Sequence, residues 1–140
     1  MAMAEIHHGG CSCGSVRYTT SGAPRRVGAC SCRWCQTRTG SAFGISVYFD
    51  KQGVVFTQGV MRNYRLTSDA GRGIETEFCE ICGTTVTWTL EFRPSYRGIA
   101  GGTFDPPTFW YKLERFVFAR SKPDWLMIPP GLDVCQAMPE

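Results

Sequence analysis

Apolar and polar residues alternate over short stretches of this chain, and almost nowhere do they repeat at the three-to-four-residue spacing of a helix face. The alternation runs through SVRYTT (15–20), AFGISVYF (42–49), GVVFTQ (53–58), RNYRL (62–66), IETEF (74–78), TTVTWTLE (84–91) and RFVFA (115–119), most of them rich in β-branched or aromatic residues. A period of two puts successive side chains on opposite faces, so each stretch predicts a strand with one buried face. SDAGRG (68–73) and TFDPPTF (103–109) carry the Gly, Asp and Pro chemistry of turns and loops. One helical turn is expected, over 33–39. The pattern predicts a mainly β fold of short antiparallel strands in a single domain spanning 1–140.

Composition narrows the picture without changing it. With 140 residues, 43% of them hydrophobic and 19% charged, the chain can bury a core without staples, and no apolar run approaches the roughly 20 residues that span a bilayer. A soluble protein with no membrane partner is expected. The opening MAMAEIHHGG lacks the basic start and apolar stretch of a secretory signal, which makes the cytoplasm the expected compartment and reduced thiols the expected state. Basic residues are interspersed with acids, so the formal charge of +3 forms no stripe for nucleic acid. Seven ligating thiolates around two dications would cancel that charge altogether. No serine–histidine–acid set can be named, and neither a phosphate-binding glycine motif nor a dinucleotide fingerprint is present.

The chemistry is concentrated in cysteine. Seven of eight cysteines fall in three clusters: Cys11 and Cys13, then Cys30, Cys32 and Cys35, then Cys79 and Cys82. In an extended segment the two sulfurs of a C-x-C point the same way, and CEICGT turns its two sulfurs inward with Gly83 free to go left-handed. Thiolate-only donor sets select zinc or iron–sulfur clusters, and the spacings fit no ferredoxin pattern, so zinc is expected. Two C-x-x-C pairs of a zinc ribbon are also missing. Seven donors divide into four and three, a closed site and an open one. Cys11, Cys13, Cys79 and Cys82 can close the first, leaving Cys30, Cys32 and Cys35 to cap one side of a second ion. Spacing equally permits Cys11 and Cys13 to share a metal with the middle cluster.

GGCSCGSVRY (9–18), CSCRWCQTRTGSAF (30–43), EFCEICGT (77–84) and SKPDW (121–125) together resemble the glutathione-dependent formaldehyde-activating enzyme family, which includes the centromere protein V type of domain. The resemblance implies a β-tent fold with two zinc ions per chain: a structural one on Cys11, Cys13, Cys79 and Cys82, and a second on Cys30, Cys32 and Cys35. It implies a carbon–sulfur lyase or synthase that forms or cleaves a thiol–aldehyde adduct such as S-hydroxymethylglutathione, with glutathione and formaldehyde as partners. The other reading is noncatalytic, a thiol carrier or a zinc-stabilised interaction module. The chain departs from the family at Phe116, where members often carry histidine. Three thiolates weaken Lewis acidity, so the expected work of the second site, with Cys30, Cys32 and Cys35 catalytic through zinc, is to hold and ionise a thiol.

Arg33, Trp34, Gln36 and Arg38 flank the middle cluster and are candidates for binding the carboxylates or peptide groups of a thiol tripeptide. TGSA (39–42) reads as a strand-entry turn. His7 and His8 are expected to be solvent-exposed in a flexible terminus rather than ligands, and Cys135 to be a free thiol standing apart. Phe104, Phe109, Trp110 and Tyr111 are assigned to packing, and Trp125 to anchoring the C-terminal tail.

Overall fold

The structure, a computed structural model, describes residues 5–138. Residues 1–4, on which part of the reading of the opening segment rests, and 139–140 lie outside the described residues. Eleven strands and one helix follow one another: β1 (Ile6–Gly10), β2 (Arg17–Ser21), β3 (Arg26–Cys30), α1 (Arg33–Thr39), β4 (Gly44–Asp50), β5 (Val54–Gln58), β6 (Met61–Thr67), β7 (Gly73–Cys79), β8 (Thr85–Leu90), β9 (Arg93–Ala100), β10 (Arg115–Val117) and β11 (Asp133–Val134). They form a three-stranded sheet in the order β1-β2-β5 and an eight-stranded sheet in the order β11-β10-β3-β4-β9-β8-β7-β6. Neither sheet closes on itself.

The pairing is antiparallel except at β10, which runs parallel to both β3 and β11. That departs from the all-antiparallel expectation. Residues 101–114 carry the chain from β9 to the far side of β3, a connection of the length that parallel pairing requires. RFVFA also stops short as a strand, because Phe118 takes a left-handed conformation (φ 54°). The helix begins and ends where a helical turn was expected: Cys32 caps its start and Gly40, at φ 64°, its end.

Between the sheets lies the main core, where Val16, Tyr18 and Val54 meet Val27, Val47, Phe49, Val86, Ile99 and Phe104. Cys11 and Cys79 belong to its margin. A bulge pairs Phe78 with Thr85 but Glu77 with Thr87. Val86 thereby joins this core while Trp88 and Leu90 join a second cluster with Ile74 and Ala100 on the other side of the large sheet. Trp34 of α1 packs edge-on to Trp88 with ring centroids 5.0 Å apart. A third cluster of Ala29, Phe116 and Ala119 is covered by Leu126 and Ile128. These two residues, not the 74% exposed Trp125, anchor the tail. Phe104 is buried among Tyr18, Phe49, Trp110 and Tyr111, whereas Phe109 is exposed. His7 sits in β1, stacked on Trp110 at 3.4 Å, so the expected flexible, solvent-exposed histidine is correct for His8 only in its exposure.

Candidate metal centres and the adjoining cavity

Two tight turns build the first cysteine cluster. Between β1 and β2, Gly14 at φ 82° closes a turn in which the Gly14 N–H donates to the Cys11 carbonyl at 3.1 Å. Between β7 and β8, Gly83 at φ 80° does the same for Cys79 at 2.9 Å. The sulfurs of Cys11, Cys13, Cys79 and Cys82 thereby come within 4.8 Å of one another. Cys11 and Cys13 are 3.6 Å apart, and Cys13 and Cys79 3.8 Å. A tetrahedron of sulfurs about 2.3 Å from zinc has edges of about 3.8 Å, so the donor set and its spacing fit that ion. Backbone N–H groups point at the same sulfurs, from Val16 to Cys11 at 3.2 Å and from Ile81 and Cys82 to Cys79 at 3.4 and 3.5 Å. Burial opposes ionisation of Cys11, but the Val16 N–H and the Ser15 hydroxyl outweigh it and bring the thiol down to about 7.

The second cluster lies where β3 runs into α1. Cys30 ends the strand, Cys32 is the helix cap and Cys35 is in the first turn, and their sulfurs also lie within 4.8 Å of one another. All three are buried. The neighbouring thiols of Cys30 and Cys35, with the Cys35 N–H that donates to the Cys32 sulfur at 3.4 Å, hold Cys32 well below the ordinary thiol range against the effect of burial. The same proximity pushes Cys30 far up. Two cysteine clusters can therefore hold metal ions, with a donor chemistry consistent with zinc. Cys135, expected to stand apart, packs against this trio without joining its set of mutually close sulfurs. The tail brings it there.

A cavity of about 110 Å³ opens beside the trio. Along β3, Arg26, Gly28 and Cys30 share one face, so the arginine and the thiol lie at opposite ends of it, about 13 Å apart at 3.3 Å per residue. Neighbouring strands add Ser46 and Tyr48 from β4, Arg115 and Val117 from β10, and Arg93 and Tyr96 from β9. Arg26, Arg93 and Arg115 make no ion pair among the described residues, and Arg115 Nε is buried without a partner. Burial, then the charges of Arg93 and Arg115, lowers the pKa of Arg26. Such a cluster is a ready anion site. Tyr48 receives the Trp88 indole N–H at 3.0 Å, and burial pushes its phenol up to about 12, so its own proton stays available to a ligand.

Of the four side chains flanking the trio, Trp34 lines this cavity. Arg33 and Gln36 line a separate surface concavity with Trp125, and Gln36 donates to the Ser121 carbonyl at 3.2 Å. Arg38 lies across Trp34 and Trp88, its guanidinium carbon 5.1 and 4.5 Å from the ring centroids. The Ser41 N–H in TGSA is taken by Gln36 and Thr39 of its own helix. Phe116 packs with Ala29 and Phe43, and the cavity is lined by its neighbours Arg115 and Val117. The arginines of the cavity were not singled out from the sequence. The signal was there in R-V-G-A-C, where every second residue from Arg26 leads to Cys30.

No helix among the described residues is long and apolar enough to cross a membrane. No curated protein matches the chain. A crystal structure of a Rhodobacter sphaeroides protein, a structural-genomics target, shares 16% sequence identity with a TM-score of 0.56, over 79% of this chain and 99% of the other. That likeness is one of fold. The model of the glutathione-dependent formaldehyde-activating enzyme family matches residues 6–119, taking in all seven clustered cysteines; the chain belongs to the glutathione-dependent formaldehyde-activating enzyme family.

Proposed function

We propose that the cavity holds a thiol such as glutathione at Cys30, Cys32 and Cys35 and makes or breaks its adduct with a small aldehyde, as a carbon–sulfur lyase acting on a compound such as S-hydroxymethylglutathione. The observation that carries this reading is a single cavity lined by the three thiols and by four arginines, Arg26, Arg72, Arg93 and Arg115, none of which makes an ion pair among the described residues. A zinc ion on the trio, with one position left to exchange, would lower the proton affinity of an incoming thiol. Cys11, Cys13, Cys79 and Cys82 would hold a structural zinc, and the domain would span 1–140 within the cytoplasm.

The chain's own residues do the rest. Arg26, Arg93 and Arg115 receive the carboxylates of the thiol, fixing its sulfur near the trio. Trp34, Phe118 and Met138 line the cavity near the thiols and exclude water. On synthesis the S–H proton leaves sulfur, a carbon–sulfur bond forms and the aldehyde oxygen takes up a proton as it becomes a hydroxyl. Tyr48 hydrogen-bonds that oxygen in both directions of the reaction. Arg33, Gln36 and Arg38 stand outside the cavity, and this reading gives them no contact with the thiol.

The carrier reading has its own support. Asp69 is the one carboxylate among the described lining residues, no histidine accompanies it, and it already accepts the Arg33 N–H at 2.9 Å. A site without a free base suits holding an adduct as well as forming one. The test is a zinc count per chain, calorimetric titration with glutathione, and exchange NMR of glutathione with formaldehyde. Two zinc ions, saturable binding and exchange faster than in buffer support the lyase. Binding with unchanged exchange supports the carrier, and no binding removes glutathione from the function.

A further inference from the structure

The cavity walls are poorly matched to a hydroxymethyl group. Trp34, Val117, Phe118 and Met138 line it beside the thiols, and Ile74, Leu90 and Phe92 continue the lining together with Ser68, Asp69 and Arg72, whose guanidinium carbon lies 4.4 Å from the Phe92 ring centroid. Trp34 belongs to both hydrophobic clusters and makes the apolar wall continuous. A hydroxymethyl adduct offers one carbon to this wall and a hydroxyl that would lose its water there, with Ser46, Tyr48, Ser68 and Tyr96 as the neutral hydroxyl groups in the lining. A purely apolar ligand fits no better, because Arg26, Arg93 and Arg115 would be left facing it without a counter-charge. Both halves of the lining are satisfied by one kind of compound.

We infer that the site takes a thiol or thiol adduct that carries a carboxylate and an apolar group, the carboxylate held at Arg26, Arg93 and Arg115 and the apolar group laid against Trp34, Leu90, Phe92 and Phe118. The volume of about 110 Å³, below the roughly 150 Å³ of an apolar cavity that binds benzene, is shared with the sulfur and the carboxylate, so the apolar group is small, on the order of a few carbons. The corresponding electrophile is an aliphatic aldehyde larger than formaldehyde. The inference rests on the thiol-adduct reading for its location, and goes beyond it in substrate class.

The test is calorimetry on the zinc-loaded full chain with glutathione, its S-methyl, S-butyl and S-hexyl derivatives, and the pair 3-mercaptopropionate and 6-mercaptohexanoate. Each methylene added between S-methyl and S-butyl should tighten binding about fourfold, with an increasingly negative heat-capacity change. Phe92→Gln, at a half-buried position, should flatten that slope in a protein whose circular dichroism is unchanged. Leu90→Gln gives an independent second reading of the same slope. A flat or falling series in the wild-type protein overturns the inference, even where glutathione itself binds and the thiol-adduct reading stands. The opposite result is also separable: no glutathione binding, with mercaptohexanoate well ahead of mercaptopropionate, removes the tripeptide and supports the apolar-anion class.

Discussion

Cys32 serves two purposes that one substitution can separate. Its sulfur belongs to the trio and also caps α1 by accepting the Cys35 N–H. Serine is among the best helix caps, so Cys32→Ser keeps the local fold and loses only the thiolate. The expected result is one zinc per chain instead of two, with an unchanged circular dichroism spectrum and no thiol-adduct turnover; two tightly held zinc ions in this variant would refute the ligand assignment. Arg38 is the complementary case. Its Nε and Nη2 are buried without hydrogen-bond partners, between two tryptophans, and its charge, like the Cys30 thiol but more weakly, works against the Cys32 sulfur and the burial that push Cys35 up. Removing it should disturb the metal more than the fold. Arg38→Met is expected to release the second metal to a chelator about 10- to 100-fold more readily, with a change in stability of about 1 kcal/mol or less.

Strands facing two apolar clusters, or one cluster and water, were legible as alternation, and β4, β7 and β8 lie close to where the pattern put them. β3 and β9 were not legible, and the reason is physical: one face of each serves the cavity. In R-V-G-A-C the core takes Val27 and Ala29 while Arg26, Gly28 and Cys30 go to the site, so the polar half of the alternation does not look like a solvent face. β9 hides Ile99 behind Arg, Pro, Ser, Tyr and Gly in the same way. Local rules fail where function overrides them. The cysteines could be read from spacing because each group is local, but Arg93 and Arg115 reach the site only through sheet order. Phe118 tests the element it ends. Phe118→Ala should cost about 3 kcal/mol in urea unfolding. Glycine is ordinarily worse than alanine by about 0.5–1 kcal/mol; at this left-handed position Phe118→Gly should be no worse, and a clear deficit would contradict the backbone strain. Asp105 ties the 103–109 loop to β2 through a two-pronged pair with Arg17. Arg17 hydrogen-bonds the Asp105 carboxylate and lowers its pKa. Its contribution is therefore present above the ordinary carboxylate range and fades as pH falls through the lowered value. Both partners are a third to a half exposed, so Asp105→Asn should cost well under 1 kcal/mol at pH 7. In thermal unfolding scans that difference should shrink progressively as pH falls below the ordinary carboxylate range.

The two cysteine clusters place different demands on the whole molecule. Cys11 and Cys13 lie far in sequence from Cys79 and Cys82, and an ion among them would tie the turn of the small sheet to a turn of the large one. Stripping that site should lower Tm by at least about 10 °C, reversibly on adding zinc. An unchanged Tm after full chelation would mean that the four sulfurs do no structural work. The trio has no such reach, since its members all fall between the end of β3 and the first turn of α1. Its far wall comes instead from the tail, beyond the residues that the family model matches: Cys135, Ala137 and Met138 close over it. This wall hangs on a two-residue edge strand and a few backbone bonds, from Asp133 to Glu114, Cys135 to Phe116, and Ala119 and Phe118 back to Cys135 and Ala137. So short an edge opens far more often than the sheet beside it. Deuterium should therefore enter the Asp133 and Cys135 amides long before those of β3, and a seated ligand should slow that entry. The lifetime of the complex would then be set by how often the last strand lets go, not by the chemistry behind it.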